Sequence, residues 1–335
     1  MAAGSARTTS TGSLADPLRH PRLLRETVAA PIGTLADKAR LARLVLDVRT
    51  HAVRDLLRRP DMSTQTRLQR AGFSIQMIES FWRPLFAGIQ LDPDLEVSRR
   101  RFDIILRMLA AGDTGVPRLG MGAVPAQLAA TLPDDTVRLG APVSRVDAAG
   151  ANLDDGERIG ARAVVVATDG PAAHRFLGHR IPDPGSRPVA CCWFSAPGAP
   201  IAGRMLVLDG DRSGPAKNLA VMSEVAPSYA PAGRALIAAA IPGPDALQPT
   251  ITDAVRDQLG RWFTSMTTDW EHLRTDVISH GQPLQAPPLD PKQPVALGEG
   301  LFVCGDHRDT ASIQGALFSG GRTARAALRH LNRSA

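Results

Sequence analysis

The chain has 335 residues, 44% of them hydrophobic, which is material for two packed cores rather than one small domain. It contains no run of ~18 apolar residues and no charged-then-apolar leader, so neither a membrane span nor secretion is supported and a cytoplasmic location is expected. The formal charge of +6 raises the question of nucleic acid. Only Lys38, Lys217 and Lys292 are lysines, however, and the arginines are spread along the chain without a focused basic stripe or a reading motif, so no nucleic-acid partner is expected.

In chain order, Met1 to Ala15 are small and polar and read as a disordered start. Residues 21–109 are mostly helical in pattern. Thr34-Leu-Ala-Asp37 is a capping signature for a helix running through Leu41, Leu44, Val45 and Val48 toward Leu57. Further helices are expected over residues 64–71, from Phe73 to a stop or kink at Pro84, and over 99–110. Phe81, Trp82 and Trp193 read as core. After Gly120 a short helix over 124–132 gives way to strand patterns at Thr136–Leu139 and Pro142–Val146. A hairpin with its turn at Asp155-Gly156 follows, and then the apolar run Ala163–Ala167, expected of a strand buried on both faces. A helix restarts over 171–177. Strand candidates recur at 189–195, 204–208, 218–224 and 234–241, followed by a helix over 250–266 and a strand at 275–280. The chain closes with a strand into Gly305-Asp306 and a helix over about 312–331. Cys191, Cys192 and Cys304 form no CxxC and are odd in number, which argues against a disulfide framework and a zinc site; reduced, buried thiols and no metal are expected.

The sharpest chemical signal runs from Leu301 to Gly320: an apolar strand, a glycine turn with a carboxylate, and a helix that opens with small residues. Gly305 permits a tight bend and Asp306 accepts hydrogen bonds from hydroxyls. Ser312, Gly315, Ala316, Ser319 and Gly320 let the helix start approach a ligand, with its unpaired N–H groups pointing outward. On these residues alone the unit reads either as a ligand site or as an ordinary strand–turn–helix.

The stretch resembles the C-terminal FAD motif of the flavin amine oxidase, protoporphyrinogen oxidase and phytoene desaturase superfamily, departing mildly at Cys304. The resemblance implies that Asp306, after Gly305, holds the ribityl chain, and that Ser312, Gln314, Gly315 and Ala316 lie at the helix start beside the flavin. Ala163–Thr168 resembles the strand that ends near the cofactor in such flavoproteins, which brings in Ala167 and Thr168, and Val143 matches the valine whose backbone contacts adenine. Asp16–Pro21, Arg83–Gly88 and Gly120–Pro125 also resemble bacterial members. The superfamily's opening strand, G-x-G-x-x-G turn and helix have no counterpart; Gly120-Met-Gly122-Ala-Val-Pro125 puts proline at the third glycine and follows no good strand.

The expected fold is mixed α/β, an incomplete FAD-binding Rossmann-type domain interleaved with a helical and mixed-sheet substrate domain. Residues 16–133 and 185–292 make up the substrate domain, and 134–184 and 293–332 the FAD domain. The expected function is an FAD-dependent oxidoreductase that takes a hydride from a C–N or C–C bond of a small-molecule substrate, with FAD as cofactor. The alternative is a non-catalytic remnant that serves as a binding or interaction protein. No catalytic residue is fixed. His307, Arg308 and Asp309 are either surface residues or line the active site. Lys217 is either solvated or a counterpart of the lysine that holds a water at the flavin in some relatives. A single tyrosine, Tyr229, excludes a two-tyrosine aromatic cage.

Overall fold

The computed structural model describes residues 2–5, 12–14 and 29–333. Its strands are β1 Ala2–Ser5, β2 Gly12–Leu14, β3 Val143–Asp147, β4 Gly150–Leu153, β5 Arg158–Gly160, β6 Val164–Val166, β7 Arg187–Ala196, β8 Met205–Leu208, β9 Asn218–Val221, β10 Ala235–Pro242, β11 Glu271–Gln282 and β12 Leu301–Val303. The principal helices are α1 Leu35–Thr50, α2 Val53–Arg58, α3 Thr64–Arg70, α4 Arg83–Gln90, α5 Arg99–Ala111, α6 Ala123–Ala129, α7 Gly170–Leu177, α8 Ile251–Phe263 and α9 Ile313–Arg333. They fall into two units. The first takes Met1–Val124, Arg187–Ser279 and Ala286–Pro288; the second takes Pro125–Ser186, His280–Gln285 and Leu289–Ala335.

In the first unit α1 begins at the expected capping box, where the Asp37 amide donates to the Thr34 hydroxyl at 3.1 Å and the Asp37 carboxylate accepts from the Thr34 amide at 2.9 Å. The same carboxylate accepts from the Ser74 amide and hydroxyl, at 2.8 and 2.7 Å, so one buried acid ties α1 to the turn after α3. Burial raises the Asp37 pKa, but these bonds outweigh it and hold the carboxyl at about 2. The helix stops at Thr50 rather than running to Leu57, because His51 leaves the helical region before α2 starts. Pro84 does not end its helix either. A π-helical turn, Ile78–Trp82, precedes it and widens the backbone where the proline lacks an N–H, and α4 continues to Gln90. Phe73, Trp82, Phe86 and Phe102 pack edge-on or tilted, with centroids 4.4–5.8 Å apart.

The seven-stranded sheet of this unit runs β11-β7-β10-β9-β8-β1-β2. Residues Ala190, Cys192, Phe194 and Ala196 alternate inward along β7 and belong to the same core as Val255, Leu259 and Phe263 of α8. Trp193 points the other way, half-buried, and its indole N–H donates to Asp276 at 2.8 Å; it is not core, unlike Phe81 and Trp82. Asn218 of β9 meets α4 so closely that a Cβ on Gly88 would lie 1.9 Å from its amide nitrogen. Two stretches of the expected disordered start, Ala2–Ser5 and Gly12–Leu14, instead form strands at one end of the sheet, β1 parallel to β8 and β2 antiparallel to β1 at the edge. Backbone groups alone make such a ladder, so small polar residues do not forbid it. The segment Asp16–Pro21 lies outside the described residues.

The second unit holds the three-stranded meander β3-β4-β5, with its turn at Asp155-Gly156 as expected. Thr136–Leu139 forms no strand; Val137 and Leu139 are exposed and have no neighbour in this sheet to pair with. Beside the meander β6 and β12 form a two-stranded parallel sheet, Val164 opposite Leu301 and Val166 opposite Val303. The far edge of β12 is covered by an antiparallel segment, through bonds from Val303 N to Val295 O and from Leu297 N to Leu301 O. On β6, Val164 and Val166 spend their backbone bonds on β12, so the Val165 peptide groups face the side that has no strand among the described residues. The expectation of a strand buried on both faces fails here: Val165 is 44% exposed. Val166, Ala173, Leu177, Ile181, Leu301 and Val303 form the core of this unit.

Candidate functional site

Because β6 and β12 are parallel neighbours, their C-terminal ends bring Ala167-Thr168 and Gly305-Asp306 together. The Cys304 amide donates to Val166 O at 2.9 Å. Past β6, Asp169 caps α7 by accepting from the Ala172 amide at 2.9 Å, and Thr168 is exposed. Past β12, Gly305 takes φ +150° and ψ 171°, a conformation essentially confined to glycine, and a 3-10 turn Asp306–Arg308 follows. In open parallel sheets ligands bind beyond these strand ends.

The helix α9 locks this turn. The Ser319 hydroxyl accepts from the Gly305 amide at 3.0 Å and donates to its carbonyl at 2.8 Å; Thr323 donates to Val303 O at 3.1 Å. Ser319 therefore serves the turn itself rather than leaving room beside it. Ser312 accepts from the Gly315 amide at 3.0 Å, and a Cβ on Gly315 would lie 1.8 Å from Thr310 O, so only glycine fits there. The first-turn amides of Ile313 and Gln314 are among those that helix geometry leaves without an intrahelical acceptor. Ser312, Gln314 and Ile313 are exposed, Ala316 is half-buried and Gly315 buried. Gln285, which carries no sequence signal, braces the loop: its amide donates to Asp309 O at 2.9 Å and its carbonyl accepts from the Ala311 amide at 3.0 Å.

The three residues after Asp306 do not lie on the surface as a set. Arg308 is buried and its guanidinium donates to Pro294 O. Burial and the charge of Arg322 lower its pKa. Asp309 is half-buried and pairs with Arg322 at 3.3 Å. His307 is only 8% exposed, and both of its ring nitrogens are buried without a hydrogen-bond partner. Burial, then the Arg308 charge, pull its pKa down to about 4 against the opposing pull of Asp169, so the ring is neutral at neutral pH.

Of the residues singled out in the sequence, Ala167, Thr168, Gly305 and Asp306 share these strand ends, and Ser312, Gln314, Gly315 and Ala316 open the helix pinned to them. Val143 instead opens β3 opposite Leu153, in the meander. In the first unit Lys217 is half-buried, donates to Gly214 O at 2.9 Å, and lines a cavity of ≈ 250 Å³ with Glu79, Arg83, Asp209 and Arg212. Tyr229 donates to Pro117 O at 2.6 Å. Burial raises all three cysteine thiols, Cys191 to about 12, which makes them poor nucleophiles.

A family model for flavin containing amine oxidoreductases matches residues 9–328. The chain belongs to that family. FAD is the cofactor that goes with this flavin-containing family. Solved structures with the same fold include an oxidoreductase from Methanosarcina mazei, 16% identical, covering 97% of this chain and 81% of that one with a TM-score of 0.69. Putrescine oxidase bound to putrescine is 14% identical over 98% of this chain and 81% of its own, at 0.64. The PF1083 protein from Pyrococcus furiosus is 15% identical over 87% and 74%, at 0.61. No curated protein sequence matches the chain.

The residues present fit part of an FAD. The strand ends carry a carboxylate, a glycine turn, a helix start and the two unsatisfied nitrogens of His307, a donor-acceptor set suited to a hydroxylated chain and a ring edge. The pyrophosphate end has no matching turn in this sequence. Gly120-Met-Gly122 lies in turns that enter α6, with no strand before them, as the sequence argued. No described helix is long and apolar enough to cross a membrane, and no group of three His, Cys, Asp or Glu among the described residues is placed to hold a metal.

Proposed function

We propose that this chain carries the flavin-proximal half of the cofactor site of an FAD-dependent oxidoreductase acting on a C–N or C–C single bond of a small organic substrate in the cytoplasm. The observation that carries the reading is the meeting of Thr168 and Asp306 at the ends of two parallel strands, with α9 pinned to the same turn by Ser319. When bound, FAD supplies the hydride acceptor, and the protein supplies placement and exclusion of water. Asp306 accepts from hydroxyls of the cofactor's chain, the helix start at Ser312–Ala316 lies beside its ring, and Ala167-Thr168 form the opposite wall. In this reading residues 134–184 and 293–332 serve the cofactor, with Val143 backing its adenine. Residues 16–133 and 185–292 serve the substrate.

The visible absorption spectrum of the purified chain, before and after incubation with FAD and desalting, tests this. Retained flavin bands are expected, lost on Asp306→Ala. A protein that stays colourless would overturn the cofactor reading and leave the binding or interaction role as its replacement.

A further inference from the structure

His307 has no role in the proposal above, yet it is the least satisfied polar group at the strand ends. Its ring lies against the backbone of Gly305, where a Cβ would come within 2.5 Å of Nδ1 and Cε1. Its own Cβ is 3.4 Å from where a Cβ on Gly170, the first residue of α7, would sit. The side chain is thus wedged between the two strand-to-helix turns, at the end of the sheet where open α/β folds take their ligands. It is 8% exposed with neither nitrogen hydrogen-bonded, and buried polar atoms are nearly always paired in the working state of a protein.

Charge selects the partner. Burial and the neighbouring Arg308 disfavour a cationic ring, against the weaker pull of Asp169. A neutral imidazole offers one N–H and one lone pair. A hydroxyl answers both, because it accepts and donates; a phosphate oxygen only accepts and would draw a second proton onto the ring. We propose that His307 recognises the polyhydroxyl (ribityl) chain of the flavin through both ring nitrogens, a positioning contact beside that of Asp306. This rests on the cofactor reading above.

Riboflavin carries the ring and the hydroxylated chain without phosphate, and lumichrome carries the ring alone. Both are titrated, by flavin fluorescence, into the full chain and into His307→Leu and His307→Asn. The dissociation constant for riboflavin rises about tenfold or more in His307→Leu, the loss of one or two buried hydrogen bonds. It stays within about threefold in His307→Asn, which keeps a donor and an acceptor, and lumichrome binds all three alike. In the unsubstituted chain, both ¹⁵N ring resonances of His307 shift on adding riboflavin while the ring stays neutral, a readout that does not depend on a variant folding. Unmoved resonances, wild-type riboflavin affinity in His307→Leu, or an equal loss for lumichrome would each overturn the assignment. If the wild-type chain binds neither flavin, the cofactor reading falls with it; if it binds both and only the His307 results fail, that reading stands.

Discussion

The two sheets of this protein are built to different degrees of self-sufficiency. In the seven-stranded sheet β7, β10, β9 and β8 each have a strand on both sides, and α8 covers the inner face of β7 with side chains from the same chain. In the second unit a two-stranded parallel sheet has one edge covered by residues 295–297 and the other, at Val165, bare among the described residues. This smaller unit also exposes Ile313, Leu317 and Phe318 together at the start of α9. Antiparallel neighbours come cheaply from short turns, whereas parallel strands need layers brought from far along the chain. Among the described residues the first unit's sheet is therefore the more completely paired of the two.

The largest test of that contrast is Phe194→Ala. This side chain is 1% exposed, and its loss should cost about 3–5 kcal/mol in denaturant unfolding of the first unit. Amide exchange in α9 should change far less; equal loosening of both units would show that they do not differ.

Next in size is pH. His307 has a folded pKa of about 4, below the ordinary 6.5, so the unfolded chain takes up a proton that the folded ring refuses as pH falls from about 6.5 to 4. Stability of the second unit should drop by about 1.4 kcal/mol per pH unit across that window, a slope absent in His307→Leu. Asp37 is also depressed, to about 2, and its contribution is present above its ordinary 3.8 and lost only as pH falls from there toward 2. Amide exchange followed from pH 7 to pH 3 should show the second unit loosening first; the reverse order would break the comparison.

The smallest effect belongs to Phe318→Ser. At 66% exposure this substitution should shift unfolding by no more than about 0.5 kcal/mol. A large loss would mean that the ring is covered in solution.

Much of this was legible in the residues themselves. Thr34 and Asp37 announce α1 because capping is local, Asp155-Gly156 announces its hairpin for the same reason, and the glycine-acid turn after Val303 locates the strand ends. What escaped depends on distant partners. The strand at Ala2–Ser5 exists through its pairing with Met205–Leu208, the exposure of Val165 reflects which neighbours are present, and the π-turn that accommodates Pro84 leaves no composition signal. His307 read equally well as surface or site. Its burial comes from the approach of Gly170 and Gly305, two residues far apart in sequence.

The edge of β6 that no strand covers among the described residues also bears on how the protein behaves in a crowded solution. Val164–Val166 are flanked by Ala163 and Ala167, so no proline, lysine or other charged side chain stands guard along the ladder. Natural edge strands are usually blunted by such residues, because an unguarded row of N–H and C=O groups templates pairing with another copy. Self-association through this short edge should therefore grow with protein concentration.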